Sequence, residues 1–173
     1  ARTEYEVVQT GRHLTLLRHA KSSWQEAGLS DHDRPLSQRG LQDAPVMGRR
    51  ILARGTRPSL IISSTALRAR HTAQIIAREL GYPGEFLQRE PELYLATPEQ
   101  IMAVLARQAD SFRNIIVCGH NPGLTELANQ LAGCDIDNIP TCGMVVIELK
   151  LQSWAGLANA SGTRQIYDYP KKP

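Results

Sequence analysis

The chain has 173 residues, of which 42% are hydrophobic and 21% charged, and its formal net charge is +3. This length matches one domain, and the composition is that of an ordinary globular protein rather than of a disordered or membrane chain. The small positive charge fits an anionic substrate. Together with an aromatic share of only 5%, it excludes the basic stripe and stacking platforms of a nucleic-acid binder.

The sequence shows no signal for secretion or membrane insertion, and its cysteines show no pattern for zinc binding or disulfide bonds. The stretch ARTEYEVVQTGRH lacks the apolar middle of a secretory signal, and no apolar run approaches the length of a transmembrane span. The three cysteines lack CxxC spacing and are odd in number, so neither a zinc site nor a disulfide framework is indicated. We expect a single cytoplasmic domain over residues 1–173, with flexible termini at 1–11 and 160–173 and no membrane partner.

Apolar runs that are typical of strands alternate with longer helix-like segments. In chain order, the predicted strands are residues 13–17, 60–63, 114–118 and 144–149. This alternation is typical of parallel strands covered by helices on both faces. It predicts an α/β fold, specifically a three-layer α/β/α sandwich with a mostly parallel central sheet.

Four of the intervening segments have the pattern of helices. In LSQRGLQDAPVMGRRILARG, Pro45 would remove an interior hydrogen bond, so the helix either kinks there or begins near Asp43. The segment STALRARHTAQIIAREL has an apolar stripe and ends at Gly81. Thr97 is the expected N-cap of TPEQIMAVLARQA, and NPGLTELANQLAG is expected to stop at Gly133.

Basic residues stand at the carboxyl ends of three predicted strands, where open α/β sheets bind ligands. Arg18 and His19 follow the first strand. Arg68 lies in SSTALRAR after the second strand, and His120 lies in CGHNPG after the third. Each Arg can present a planar fork to phosphoryl oxygens, and two such forks indicate a dianion. The two histidines hold equivalent positions, so we expect one to attack the anion and the other to donate to it.

The two histidines suit phosphoryl transfer in different protonation states. A histidine attacks phosphorus only as the neutral imidazole, and we expect the two guanidinium groups to lower the pKa of His19. Its other ring nitrogen should donate to a backbone carbonyl, which would fix the tautomer. A bound dianion favours protonated His120, which would then stabilise charge on the equatorial oxygens. Taken singly, each histidine has a structural explanation, and Arg68 alone is commonly a solvated helix charge.

Other hydrolase chemistries are not supported. A cysteine phosphatase needs an Arg that closes the loop after its cysteine, but the corresponding positions hold Leu124, Pro140 and Glu148. The P-loop pattern is absent, and GHNPG carries Asn121 where a nucleophile elbow requires serine. No apolar strand precedes the DHD stretch at Asp31–Asp33, which indicates a loop in which Asp33 and Arg34 brace the site.

Six stretches of the chain together resemble the histidine phosphatase superfamily. They are LLRHAKSSW, DRPLSQRG, LIISSTALRARHTA, ELY, VCGHNPGL and PTCGMVVIEL. Their order and rough spacing are similar to those of the small SixA-type branch of phosphohistidine phosphatases. The resemblance covers most of the chain, and it implies the phosphoglycerate mutase-like fold of that superfamily.

The resemblance also implies roles for individual residues. His19 would be the nucleophile that becomes phosphorylated. The rest of the phosphate pocket would consist of Arg18, Arg68 and His120. Further substrate-binding positions would be Lys21, Ser22, Gln25 and Asn121. No metal and no other cofactor is implied.

Two positions depart from the superfamily pattern. Ala20 replaces the glycine of the hallmark Arg-His-Gly tripeptide, a small-for-small change that should leave the turn intact. The carboxylate that acts as general acid in larger relatives is matched only by position, by Glu92. A pocket without a strong acid suits P–N bonds or activated esters, because a protonated imidazole leaves phosphorus readily as a neutral ring.

We therefore expect a metal-independent phosphatase that forms a covalent phosphohistidine intermediate and acts on phosphohistidine of a protein. Two alternatives stay open. One is hydrolysis of a small phosphorylated metabolite, and the other is a binding module that holds a phosphorylated partner without turnover. Turnover of any phosphorylated compound distinguishes the binding module from the enzymes. A monomer is the default expectation for the oligomeric state.

Overall fold

A six-stranded sheet forms the centre of the molecule, and the computed structural model describes residues 11–55 and 57–173. The strands are β1 (Gly11–Arg18), β2 (Leu60–Ser64), β3 (Gln88–Glu90), β4 (Asn114–Gly119), β5 (Met144–Lys150) and β6 (Gly162–Asp168). Their order across the sheet is β3-β2-β4-β1-β5-β6. Strands β1 to β4 run parallel, β5 is antiparallel to β1, and β6 is antiparallel to β5. All of these strands except β5 therefore point the same way, which confirms the predicted mostly parallel sheet.

The described residues also form four α-helices, two on each face of the sheet. They are α1 (Gln38–Ala53), α2 (Leu67–Leu80), α3 (Pro98–Ala106) and α4 (Gly123–Ala132). Met47 of α1 and Ile76 of α2 lie in one buried apolar cluster, whereas Ile101 of α3 and Leu124 of α4 lie in the other. Leu17 of β1 joins the first cluster and the residue before it joins the second, because side chains alternate along a strand. The predicted three-layer α/β/α sandwich is confirmed.

Capping residues set the helix boundaries. Helix α1 begins directly after Ser37, whose side chain accepts a hydrogen bond from the Gly40 N–H, and it runs through Pro45. The predicted alternative start near Asp43 is therefore wrong. The other predicted boundaries, all confirmed, are the cap Thr97 and the left-handed C-terminal glycines Gly81 and Gly133.

The sequence does not predict the two edge strands, β3 and β6. Residues 160–173 are expected as a loop and flexible tail, but Gly162–Asp168 pair with β5 as a strand, so that expectation is wrong there. The expected flexible stretch 1–11 lies outside the described residues except for Gly11, which begins β1. Both edge strands are mostly polar and partly exposed, so they lack the apolar pattern of a central strand. None of the helices in the described ranges is long and apolar enough to cross a membrane.

Candidate active site

The loops that follow β1, β2 and β4 meet at one edge of the sheet, because these strands are parallel and β4 lies between the other two. His19 follows β1 and donates its backbone N–H to the Gly119 carbonyl at 3.1 Å, and His120 follows Gly119. Arg68 lies in the first turn of α2, shortly after β2. A cleft of about 350 Å³ opens here, lined by Arg18, His19, Lys21, Ser22, Trp24, Arg34, Arg68, Leu95, His120, Asn121 and Thr141. The structure thus brings the four predicted catalytic residues together.

The imidazole rings of His19 and His120 are neighbours, with centroids 5.2 Å apart. The Nδ1 of His19 lies 2.7 Å from the backbone carbonyl oxygen of Ala20, which confirms the predicted hydrogen bond. A carbonyl can only accept, so Nδ1 carries the proton and Nε2 of the neutral ring keeps a lone pair. The backbone thereby fixes His19 in the tautomer that a nucleophile needs.

Burial keeps both imidazoles neutral. It is the largest cause that lowers the pKa of His19 to about 4, and nearby guanidinium groups, Arg68 first, lower it further. Burial also lowers the pKa of His120 to about 3, with repulsion from His19 and Arg68 added. The sequence analysis correctly predicts that the pKa of His19 is lowered, but it attributes the shift to the arginines and not to burial. Desolvation is the larger effect because the ring lies below the mouth of the cleft, only 7% exposed.

His120 is tied to the end of β2 through Ser64. Its Nε2 lies 2.8 Å from the Ser64 hydroxyl oxygen, and its Nδ1 is buried without a hydrogen-bond partner among the described residues. Tyr94 packs edge-on against the ring, with centroids 5.5 Å apart. Buried polar atoms are almost always paired in native structures. The unpaired nitrogen therefore marks a place where a bound group would supply the missing contact.

The two cleft arginines, Arg18 and Arg68, are held in different ways. Arg18 donates to the backbone carbonyl of Ile139 at 2.9 Å and has no ion pair within the described part of the chain. Its pKa is lowered by burial and by the charge of Arg68, so the two guanidinium groups are close enough to repel each other. An anion bound between them would relieve that repulsion. This accumulation of positive charge is what a phosphate site requires.

An unpredicted carboxylate, Asp31, supports two arginines of the cleft. Its backbone oxygen and its Oδ2 accept hydrogen bonds from Arg68 at 2.7 and 2.9 Å, and its Oδ1 accepts one from Arg34 at 3.1 Å. The Tyr94 hydroxyl also donates to Asp31. That bond, with the hydrogen bond and charge of Arg68 added, lowers the pKa of Asp31 to about 2. The carboxylate is therefore ionised at neutral pH, and it orients Arg68 through two contacts.

The sequence analysis predicts that Asp33 and Arg34 brace the site. In the structure only Arg34 lines the cleft. Its guanidinium donates to the Ser22 hydroxyl at 2.7 Å and stacks over Trp24, 3.5 Å from the ring centroid. The Asp33 carboxylate instead accepts a hydrogen bond from a hydroxyl of its own loop. The DHD stretch contains two carboxylates that are equivalent in sequence. The folded turn places the Asp31 carboxylate against the arginines, so the sequence alone cannot distinguish the two.

Three of the four predicted substrate-binding residues, Lys21, Ser22 and Asn121, line the cleft. The Asn121 side chain donates to the Ile139 carbonyl at 2.9 Å, so it also braces the rim. Gln25 is exposed and is not among the lining residues, although its neighbour Trp24 is. The structure therefore does not place Gln25 at the site.

Glu92, matched by position as a general acid, does not reach the cleft either. Its Oε2 lies 2.8 Å from a guanidinium nitrogen of Arg107, and its side chain is 57% exposed. This corrects the expected position, because the surface ion pair holds the carboxylate away from the histidines. Within residues 11–55 and 57–173, no group of three or more His, Cys, Asp or Glu side chains is placed to hold a metal ion. The absence of a metal cofactor stays a prediction.

The solved structures that are similar to this chain over most of its length include the following two. A protein of Nakamurella multipartitia, provisionally assigned as the phosphohistidine phosphatase SixA, matches with a TM-score of 0.77 and 23% identity, covering 94% of this chain and 98% of that one. A protein of Agrobacterium tumefaciens with the same provisional assignment matches with a TM-score of 0.72 and 32% identity, covering 79% and 90% of the two chains. The fold is the phosphoglycerate mutase-like α/β fold, and the class of protein is a phosphatase.

Sequence comparison gives the family. The family model described as the histidine phosphatase superfamily (branch 1) matches residues 14–94. An uncharacterized chloroplastic protein of Arabidopsis thaliana is 33% identical over 159 residues, which cover 87% of this chain and 72% of that protein. The chain belongs to the histidine phosphatase superfamily.

Proposed function

We propose that this phosphatase acts through a covalent intermediate on His19 and that its substrate is phosphohistidine on a protein. The observation that carries the proposal is the state of His19, whose Nδ1 is bound to the Ala20 carbonyl and whose pKa is about 4. At neutral pH its Nε2 lone pair is free to attack phosphorus. Two guanidinium groups stand beside the ring, where the transferred phosphoryl group needs positive charge.

The proposed reaction has two steps. In the first, His19 Nε2 forms a bond to phosphorus while the bond from phosphorus to the substrate imidazole breaks. That imidazole carries a proton on its other nitrogen, so it leaves as a neutral ring. In the second step water attacks phosphorus, the bond to His19 breaks, and both protons of the water leave with inorganic phosphate. Arg18 and Arg68 hold the equatorial oxygens throughout, and His120 offers its unpartnered Nδ1 to one of them.

The carboxylates near the site support a P–N substrate. An alkoxide leaving group needs a proton in the transition state, whereas a protonated imidazole does not. Asp31 contacts the cleft arginines, but with a pKa of about 2 it has no proton to give at neutral pH. Glu92 is held by Arg107 on the surface. Among the described residues, neither carboxylate considered as an acid is positioned and protonated for the hydrolysis of an unactivated ester.

Intact-protein mass spectrometry after a rapid acid-free quench tests the proposal. A phosphohistidine peptide and an aryl phosphate are offered separately to the wild type, to His19→Ala and to the control His71→Ala, which removes a histidine of α2 outside the cleft. We expect a mass increase of one phosphoryl group, or release of phosphate, in the wild type and the control but not in His19→Ala. The faster of the two substrates identifies the preferred bond.

Other outcomes would replace the proposal. Efficient hydrolysis of phosphoserine or a sugar phosphate, lost on Glu92→Gln, would show that the enzyme is a phosphomonoesterase of small or protein esters. Binding of both substrates without adduct or phosphate release would identify a module that holds phosphorylated partners. A cytoplasmic location stays part of the proposal, and fractionation of cells that express the full-length protein tests it.

A further inference from the structure

A second cavity adjoins the cleft. This basic groove has a volume of about 270 Å³, and its walls include Lys21, Arg39, Asp43, Thr141, Tyr169 and Lys171. Lys21 and Thr141 line both the basic groove and the cleft. The groove is therefore a continuation of the space in which the phosphoryl group is proposed to bind.

The charges of the basic groove favour an anionic occupant. Three cations, Lys21, Arg39 and Lys171, face a single carboxylate, Asp43. Arg39 pairs with Asp43 at 3.5 Å, so these two charges partly cancel. The ammonium groups of Lys21 and Lys171 have no ion pair and no hydrogen bond within the described ranges. Two cations without partners thus remain available to a ligand.

Hydrogen bonds hold both walls of the basic groove in place. On one side, the Arg50 guanidinium of α1 donates to the backbone carbonyls of Tyr169 and Pro170 at 2.9 and 3.1 Å. On the other side, the turn at Thr141 is joined to the proposed nucleophile, because the Cys142 N–H donates to the His19 carbonyl at 3.0 Å. The groove is therefore preformed, with a fixed position relative to the histidine that would receive the phosphoryl group.

We propose that the basic groove binds acidic side chains that flank the phosphorylated residue of a protein substrate. The proposal rests on the proposed function and adds the class of protein segment that the enzyme selects. Single cations spread around a groove match carboxylates spaced along an extended chain. A second phosphate group would instead call for converging guanidinium forks. Asp43 stands in the same groove and repels a compact dianion more than it repels separated single charges.

Paired peptides test the selection of acidic flanks. Each phosphohistidine peptide carries three Glu residues on one side of the phosphorylated residue, and its partner carries three Gln residues there, with one pair for each side. The readout is the ratio of kcat/KM for the Glu and Gln peptides, since a ratio cancels any general loss of activity. Because exposed ion pairs are weak, we expect a ratio of about 5 in the wild type for at least one side. We expect the ratio to fall towards unity in concentrated salt.

Charge reversal locates the effect. The double variant Arg39→Glu/Lys171→Glu should bring the ratio below unity. The control Arg89→Glu/Lys150→Glu, which reverses two exposed cations outside both cavities, should keep the wild-type ratio. Peptides with Lys flanks should become better substrates of the Arg39→Glu/Lys171→Glu variant than of the wild type, a gain that misfolding cannot produce. Equal ratios in all three proteins would overturn the proposal, as would the same shift in the control.

A binding measurement separates this inference from the proposed function. Fluorescence anisotropy gives the affinity of His19→Ala for the same Glu and Gln peptides with a stable phosphonate in place of phosphohistidine. If the wild type hydrolyses no peptide but the Glu peptide binds about fivefold more tightly, the proposed function fails and the groove assignment stands. If turnover occurs without any preference in rate or binding, the groove assignment fails alone. The groove assignment would also be overturned if loss of Lys171 slowed only the hydrolysis of a small substrate that carries a second anionic group.

Discussion

The two buried histidines of the cleft should make the protein unstable in mild acid. His19 is 7% and His120 is 3% exposed, and burial lowers their pKa values from 6.5 to about 4 and about 3. At pH values between the unfolded pKa of 6.5 and these folded pKa values, the unfolded chain binds protons that the folded protein does not bind. The free energy of unfolding therefore rises with pH in this window. The stability is fully present above the unfolded pKa and is lost as the pH falls towards the folded values.

The size of the effect follows from the same values. At a pH of about 4.5 the unfolded imidazole is almost fully protonated, and each of the two histidines lowers the free energy of unfolding by roughly 2.5 kcal/mol relative to neutral pH. Together they account for about 5 kcal/mol, which is comparable with the whole stability of a marginal domain. Protonation of one ring also raises the cost of protonating the other, since their centroids are 5.2 Å apart.

Urea unfolding followed by circular dichroism measures this dependence at pH values from about 7.5 down to about 4.5. The wild type, His19→Asn and His120→Asn are compared, and His71→Asn controls for the loss of a histidine outside the cleft. We expect each cleft variant to remove about half of the pH dependence, whatever its effect on stability at neutral pH. A free energy of unfolding that stays constant over this range in the wild type would refute the reasoning. So would a pH dependence that neither cleft variant changes.

Three further predictions follow from single contacts. The acid limb of kcat/KM should lie near a pH of about 4, the pKa of His19, and a limb near the ordinary histidine value in the pH–rate profile would contradict its role as the buried nucleophile. Asp31→Asn removes a negative charge beside Arg68, so inorganic phosphate should inhibit about threefold more strongly in steady-state assays. Weaker inhibition would mean that Asp31 acts mainly by positioning Arg68. Gly123→Ala should destabilise the protein by about 3 kcal/mol in urea unfolding or prevent folding. The reason is that a Cβ there would lie 1.9 Å from the Ala96 carbonyl oxygen, and wild-type stability would contradict the packing.

The centre of the sheet and the proposed catalytic residues were predictable because both depend on local pattern. Residues 14–17 and 115–118 are apolar apart from Thr15 and are buried on both faces, and each run leads into a histidine at its carboxyl end. The edge strands were not predictable in this way. Strand β3 has the sequence QRE, and it is extended because it pairs with β2. Three polar residues carry no pattern that predicts this pairing.

The support of the site depends on contacts that only the folded chain creates. Asp31 and Tyr94 are 63 residues apart in sequence, and they meet because their loops lie over the same edge of the sheet. Glu92 and Tyr94 are two positions apart, yet one side chain reaches Arg107 on the surface and the other packs on His120. A match by position can therefore identify the segment that contributes to the site but select the wrong side chain within it. Here the aromatic residue of ELY, and not its acid, reaches the site.

The reversed direction of β5 has a practical consequence for the design of labelled proteins. Strand β5 begins at the edge of the sheet where β1 ends, and β6 then returns the chain to that edge. A fluorophore attached at residue 171, which follows β6 and lines the basic groove, would therefore lie beside the cleft and could report its occupancy. Strand β1 begins at the opposite edge, so a fluorophore attached at Gly11 would lie away from the cleft and would serve as a control.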